Sequence, residues 1–532
     1  MSDKNHSTIV ETADNGPKTK LVQGSERWAS AIQSAKPKIL AWNTMLTFFM
    51  CIPAFLCGSM AGYDSSVMAS FLVMGSFQNL FGANVNGFQA GYITAIYQIA
   101  GVIAIPFISP CMDRFGRRFA LFLGCASSVL GAIIQATSAQ TGSLGQFLAG
   151  RFLLGFGGVL AQAAAPTYCV EVAHPAHRGI LAGGQSSMQN FGGIIAAAVA
   201  LGTVNLTGND SWLIPTWVQL ACPGIACLMI WFLPESPRWL YTHNQQTKAI
   251  EFITKYHGDG DIENPWVKLQ LVEFEEQLEQ NSSEKWWDYR PLFTTRSKRY
   301  RLGNSLMIGV WGALSSGGIS YYVGAFFASA GITDPTTVLV FNVWQNFMST
   351  MASFIGSPLC DFVGRRPLFL CTLFGMGLSW AGVAVGAGIV DSTPSNIAAA
   401  KAGIAFYFIF SFIYCIGITP LQGVYAAEVF TYEQRAKGVA FQNLGVNIAG
   451  LVNQFGTPVA LEKIGYRTYI IWCIWNFIEF GISYFWSVET KGFTLEELDD
   501  IFESPNPRKA SVQKRAVPTS GDINTLLHVK EV

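Results

Sequence analysis

The chain has 532 residues, 50% hydrophobic and only 13% charged, with a mean hydropathy of +0.32 and a formal net charge of zero. A soluble chain carries about twice that charged fraction, so the composition excludes an ordinary globular enzyme and points to a membrane protein. Zero net charge gives no footing for nucleic acid, and the eleven cysteines lie in or beside apolar segments without metal-ligand spacing, as small apolar residues rather than a disulfide framework or a metal site.

Residues 1–43 are polar and of mixed charge, without the basic-then-apolar order of a signal peptide, and are expected to form a disordered cytoplasmic tail. The first apolar segment opens at Leu46 and runs to Phe71; about 20 such residues at a rise of 1.5 Å span a bilayer. Asp64 lies inside it, in Gly62-Tyr63-Asp64-Ser65-Ser66. A carboxylate at membrane depth costs roughly 2.5–3.5 kcal/mol on insertion scales, so an ion or proton site is expected there, the alternative being a helix-end Asp that reaches solvent. Apolar segments follow near 88–110, 118–139, 146–169, 179–203 and 212–233, then 303–330, 337–359, 367–390, 401–426, 437–460 and 468–488. The pattern is that of an all-α membrane protein with twelve transmembrane helices in two six-helix halves, 44–233 and 303–490. Gly-rich stretches such as Gly150 to Gly158 allow close helix contact.

Arg114, Arg117, Arg118, Arg178, Arg365, Arg366, Arg435 and Lys437 all fall on one side of this topology. The first two loops of the other side carry no charge, and the third only Asp210. The excess of Arg and Lys places both termini and the 234–302 linker in the cytoplasm. Within the linker, Leu269, Leu271, Val272, Phe274 and Leu278 stand at helical spacing among acidic residues, as expected of amphipathic helices under the membrane domain. The tail, 491–532, is polar after Leu498, with basic patches at Arg508, Lys509, Lys514 and Arg515, and is expected to be disordered and cytoplasmic.

The halves carry matching signatures. Asp113-Arg114-Phe115-Gly116-Arg117-Arg118 recurs as Asp361-Phe362-Val363-Gly364-Arg365-Arg366. Glu171 with Arg178 seven residues on recurs as Glu428 with Arg435, and Pro234-Glu235-Ser236-Pro237-Arg238 has its counterpart in Glu489-Thr490-Lys491-Gly492. Duplication with six spans per half is the architecture of a rocking transporter whose site lies between the halves. Asp113, Arg117, Glu171, Arg178, Glu235, Arg238, Asp361, Arg365, Glu428 and Arg435 are the candidate conformational switch. Their charges can pair across neighbouring helices in one conformation and separate in the other; the alternative is that they set topology alone.

The repeated Asp-x-x-Gly-Arg-Arg loops, Pro234 to Leu240 and Glu489 to Gly492 resemble the sugar porter family of the major facilitator superfamily. Thr419 to Tyr425, with Glu428 and Arg435-Ala436-Lys437-Gly438, is most similar to its fungal lactose- and hexose-permease branch. The likeness covers about residues 45–500 and implies a monomeric plasma-membrane carrier working by alternating access, with proton-coupled sugar uptake. It also implies a proton-coupling pair of an Asp in the first helix and an Arg in the fourth, here Asp64 and Arg151. Both stand roughly 8–10 Å below the outer surface by residue count. A guanidinium beside a carboxylate favours its charged form, so the proton binds well only when the pair loosens.

The family's sugar-binding amides are thinned. Its fifth-helix Gln falls on Ser186, its seventh-helix pair on Trp311 and Gly312 and the following Asn on Gly317, its eighth-helix Asn on Ser349, and a tenth-helix aromatic on Gly423. Candidate substrate contacts are Gln185, Gln189, Trp311, Asn346, Gln422 and Asn447, with interhelical hydrogen bonding as the alternative for the amides. Trp311 offers a stacking face, and the glycines leave room for a disaccharide, a glycoside or a partly apolar metabolite in preference to glucose. Ser315-Ser316-Gly317-Gly318 allows the seventh helix to break, with Tyr321 and Tyr322 as gate candidates. The partners expected are a small-molecule substrate, protons and lipid. No cofactor, catalytic set or metal site is expected, and no phosphate-binding loop for ATP occurs. An exporter of a fungal metabolite and a non-transporting sugar sensor are the alternative functions, although the tail is short for a sensor.

Overall fold

The structure, a computed structural model, describes residues 42–82, 88–175, 178–281, 289–315, 321–329, 331–332, 334–393, 396–430, 432–491 and 495–512. Regular structure among them is helical. The first half comprises α1 (Trp42–Phe71), the short α2 (Gly75–Phe81), α3 (Phe88–Arg114), α4 (Arg117–Thr141), α5 (Leu144–Val172), α6 (Arg178–Thr203), and α7 (Asp210–Val218) followed by α8 (Ala221–Ile230). Three linker helices follow, α9 (Pro237–Thr242), α10 (Gln246–Tyr256) and α11 (Pro265–Asn281), then a 3-10 turn at Arg290–Phe293. The second half holds α12 (Arg296–Ser315), α13 (Val323–Ser329), α14 (Pro335–Val363), α15 (Arg365–Ser392), α16 (Ile397–Val429), α17 (Tyr432–Ile464) and α18 (Arg467–Trp486). Counting α7 with α8 and α12 with α13 gives the twelve spans. Among the described residues, seven spans are long and apolar enough to cross a membrane on length and hydropathy alone. Others are diluted by amides: α17 carries Gln442, Asn443, Asn447, Asn453 and Gln454.

Small residues set the packing of the first half. A Cβ on Gly150 of α5 would lie 2.6 Å from Gly131 O of α4, and one on Gly62 of α1 only 1.6 Å from Gln189 O of α6. Backbones this close leave no space for a side chain, so small residues set the approach of α5 to α4 and of α1 to α6.

The linker belongs to both halves. Tyr241, Phe252, Ile253, Val267 and Phe274 share a core with Cys51, Leu121 and Leu160 of the first half, and a His257 ring nitrogen meets Val172 O at 3.0 Å. Leu292 of the 3-10 turn instead packs with Leu302 and Phe430 of the second half. The tail differs from the disorder expected of it. Through Val512 it is helical, as α19 (Leu495–Glu503) and α20 (Pro507–Val512). Leu498, Ile501 and Phe502 stand at helical spacing and enter the second-half core, and Arg508 lies 4.8 Å over the Tyr484 ring. Residues 1–41 and 513–532 lie outside the described residues.

At the end of the bundle opposite the Arg-bearing loops, the halves meet. Tyr63, Val67 and Phe71 share a core with Tyr322 and Leu339. Phe88 packs edge-on against Phe455 with centroids 5.1 Å apart. The Tyr322 hydroxyl lies 2.5 Å from Thr94 Oγ1 and donates to Gln454 O at 2.6 Å.

Candidate transport site

Asp64 is 2% exposed and Arg151 fully buried. The guanidinium engages both carboxylate oxygens, Nη1 to Oδ1 at 3.3 Å and Nη2 to Oδ2 at 3.4 Å, while Nε donates to Ile93 O at 3.1 Å. Gln219, where α7 gives way to α8, adds a donor to Asp64 Oδ1 at 2.9 Å. The Arg151 guanidinium lies 5.7 Å over the Tyr97 ring. A buried ion pair is tolerated only when its remaining valences are met, and removal of one partner strands the other. From the second half, Tyr321 donates to Ser65 Oγ at 3.1 Å, beside Asp64. The pair therefore sits against the surface that a relative movement of the halves would open.

Among the amides, Asn346 donates from Nδ2 to Ser66 Oγ across the halves at 3.3 Å and to Asn342 Oδ1 at 3.0 Å. Asn447 Oδ1 would lie 2.9 Å from a Cβ on Gly101, so it too faces the first half, although its Nδ2 donates back to Asn443 O at 2.8 Å. Gln185 is buried against Gly58 of α1, and the side chain of Gln189, one turn on, is exposed. Asn190 donates to Ser353 Oγ at 2.8 Å, a further link between the halves. Trp311 is not brought to this set. Its indole N–H donates to Ser483 Oγ at 3.0 Å and its ring meets Trp475 nearly perpendicularly at 6.4 Å, both on α18 of its own half. The space expected at the glycines also differs between positions. A Cβ at Gly312 would lie 2.2 Å from Gln422 Nε2, so this amide occupies that space, whereas nothing lies within 4 Å of a Cβ at Gly423. Gly317 and Ser316 to Ser320 lie outside the described residues.

At the Arg-bearing end, the two halves build the same cluster. Arg117 pairs with Glu171 at 2.9 Å, and Asp113 stands 3.7 Å from Arg117. The Ser236 hydroxyl also donates to Glu171. Glu235 accepts the backbone N–H groups of Arg117 at 3.0 Å, Arg118 at 3.2 Å and Ser236 at 2.9 Å. In the second half Arg365 pairs with Glu428 at 2.6 Å. Thr490 donates to Glu428 at 2.5 Å, and Glu489 accepts from the backbones of Arg365 at 3.0 Å and Arg366 at 3.2 Å. Each carboxylate thus caps the N-terminus of a long helix, α4 or α15, where orphan N–H groups and the helix dipole favour an anion. Gly116 and Gly364, at φ 96° and 103°, make the turn; a Cβ there would come within 2.4 and 2.7 Å of Glu235 and Glu489 Oε2. Burial pushes the Glu235 carboxyl above its ordinary value, against the pull of the Ser236 and Arg118 N–H groups and the Arg117 guanidinium. Arg238 lies 5.9 Å over the Phe274 ring of α11. The side chains of Arg178, Asp361, Arg435 and Ser186 lie outside the described residues.

Two functional candidates, Gln219 and Glu479, emerge from the structure alone, while Glu489 takes the place in the second half that the sequence repeat gives it opposite Glu235. Gln219 completes the Asp64 site. Glu479 is a fully buried acid in α18. A lone polar residue within an apolar segment was the available signal for Gln219 and Glu479.

Residues 50–502 match the sequence model of a family described as sugar (and other) transporter. The MFS-type transporter criB of Aspergillus cristatus is 29% identical over 455 residues, covering 84% of this chain and 91% of its own length. The high-affinity glucose transporter 1 of Candida albicans is 29% identical over 502 residues, 89% of each chain. Among solved structures, the xylose transporter XylE from E. coli in a partially occluded inward-open conformation superposes with a TM-score of 0.70. It is 17% identical, with 84% of this chain and 99% of that one covered, and shares the fold.

Proposed function

The chain belongs to the sugar (and other) transporter family and is a multi-pass membrane carrier of the major facilitator fold rather than an enzyme; from this premise we propose proton-coupled import of a sugar-like solute by alternating access. The observation that carries the reading is the buried Asp64–Arg151 pair, bonded through both carboxylate oxygens and touching, through Ser65 and Tyr321, the opposite half. A proton on Asp64 cancels the attraction that holds Arg151, and relaxation of the pair changes a contact between halves. The Arg-bearing end is then cytoplasmic and the joined end external, in the plasma membrane.

The solute is read by amides. Asn346 and Asn447, both part-buried, face the first half across the seam, and amides shielded from water select hydroxyls because analogues lacking them leave polar groups unpaired; Gln189, exposed on α6, is the further candidate. The Candida relative is named for glucose, which makes glucose the reference solute. Room for a larger one is supported at Gly423 and opposed at Gly312, where Gln422 stands.

The test is uptake and efflux in a transporter-null host, screened over hexoses, pentoses, disaccharides, glycosides and non-sugar metabolites. Accumulation above the medium in wild type, lost in Asp64→Asn while exchange persists, is the expected result. Wild-type accumulation retained in Asp64→Asn would refute coupling at this residue, and energy-dependent efflux without uptake would make the protein an exporter.

A further inference from the structure

Glu479 is fully buried in α18, whose other charged residue, Arg467, opens the helix about 18 Å away along its axis. The Ser315 hydroxyl, at the end of α12, donates to its Oε2. Oε1 has no hydrogen-bond partner. Trp475, one turn back on α18, is its remaining polar neighbour, and that indole N–H is also unpaired. From α15 the Trp380 indole N–H goes to Ser315 O at 3.3 Å, and from α17 Asn453 donates to Ala313 O at 2.8 Å; neither reaches the carboxylate. No charged side chain among the described residues acts on Glu479. The charges of the surrounding helices stand at their ends: Arg301 on Asp499, Arg365 on Glu428, and Lys463 and Arg467 at the opposite end.

The contrast with Asp64 decides the chemistry. Asp64 has a guanidinium on both oxygens and an amide besides; Glu479 has one hydroxyl. An isolated carboxylate in a low-dielectric interior takes up a proton rather than remain charged. The free Oε1 is the atom that receives it, while Oε2 keeps the Ser315 bond. On the seventh span, Ser315 binds Glu479, and Tyr321 reaches Ser65 beside Asp64.

We propose that Glu479 is a second proton-binding site of this carrier, in the half that lacks Asp64, with its proton affinity set by whether Ser315 of the seventh span is docked on it. A docked hydroxyl favours the anion; withdrawal of Ser315 leaves the carboxyl with the Trp475 indole as its one polar neighbour among the described residues and holds the proton more firmly. This site stands whether or not Asp64 couples transport.

The test is infrared titration of the purified full chain in lipid nanodiscs, which needs no solute. The expected result is a carboxylic-acid carbonyl band at neutral pH that disappears on raising the pH, is absent in Glu479→Gln and persists in Asp64→Asn. In Ser315→Ala the band should survive to a pH about one unit higher, tenfold in proton affinity. A band unchanged in Glu479→Gln, or one removed by Asp64→Asn instead, would overturn the proposal. Should Glu479→Gln fail to fold, Ser315→Ala still decides: a midpoint that coincides with wild type refutes the site.

Discussion

Asp64 and Glu479 are both carboxylates in apolar helices, and the difference in their neighbours predicts different responses to amide substitution. Asp64→Asn keeps shape and removes the titratable group, so the accumulation ratio should fall to about one while counterflow exchange continues. The glycines offer a second contrast at the same scale. Gly312→Ala drives a methyl into Gln422 and Ile418 and should cost about 1–3 kcal/mol in thermal unfolding. Gly423→Ala meets nothing within 4 Å and should stay within about 0.5 kcal/mol of wild type. If the two variants unfold alike, the assignment of filled and open space is wrong. Two N-glycosylation sequons, Asn205-Leu206-Thr207 and Asn209-Asp210-Ser211, have their asparagines between α6 and α7 at the end proposed to be external, and they separate in the same way. Asn205 is exposed, whereas Asn209 lines a surface depression with Met74, Ser76 and Ser211. A mobility shift on glycosidase treatment should be lost in Asn205→Gln and kept in Asn209→Gln. Asn281-Ser282-Ser283, on the linker, should never carry glycan.

At the scale of elements, the caps on α4 and α15 are the feature to test. The folded-state value of Glu235 lies above its ordinary one because of burial. Its contribution to stability is therefore present below the ordinary carboxylate range and is lost as pH rises toward the raised value. Glu235→Gln should flatten that part of the melting-temperature profile; a profile identical to wild type would refute the assignment. Much at this scale was legible in advance. The segment read at 118–139 is α4 at Arg117–Thr141, and that at 367–390 is α15 at Arg365–Ser392, because an apolar run bounded by Gly-Arg-Arg has few other ways to begin a helix in a membrane. Three features were not legible. The neighbours of Trp311 were one: its indole donates to Ser483 of its own half, and sequence states a residue's helix position but not which neighbour its ring meets. The tail past Leu498 looked polar, yet its few apolar residues share one helix face and fold onto the second half. Gln219 and Glu479 drew no expectation from the sequence, because only coordinates tell that one completes an ion pair and the other lacks a counter-ion.

Across the whole molecule, the contacts that join the halves include, at the end away from the Arg-bearing loops, Tyr321, Tyr322 and the Phe88–Phe455 edge. If transport requires this end to part, cysteines at Phe88 and Phe455 joined by oxidation should stop uptake, and a reducing agent should restore it. Uptake that continues in the cross-linked protein would exclude an opening there. The divided linker has a different consequence. Its helices through Asn281 are cemented to the first half, Leu292 to the second, and each half closes its Arg-bearing end with its own capped carboxylate. Covalent continuity between the halves then supplies proximity and little else. Two polypeptides divided between Asn281 and Tyr289, made in the same cell, should find each other in the bilayer and reconstitute a working carrier, which would make this protein a heterodimer that happens to be translated in one piece.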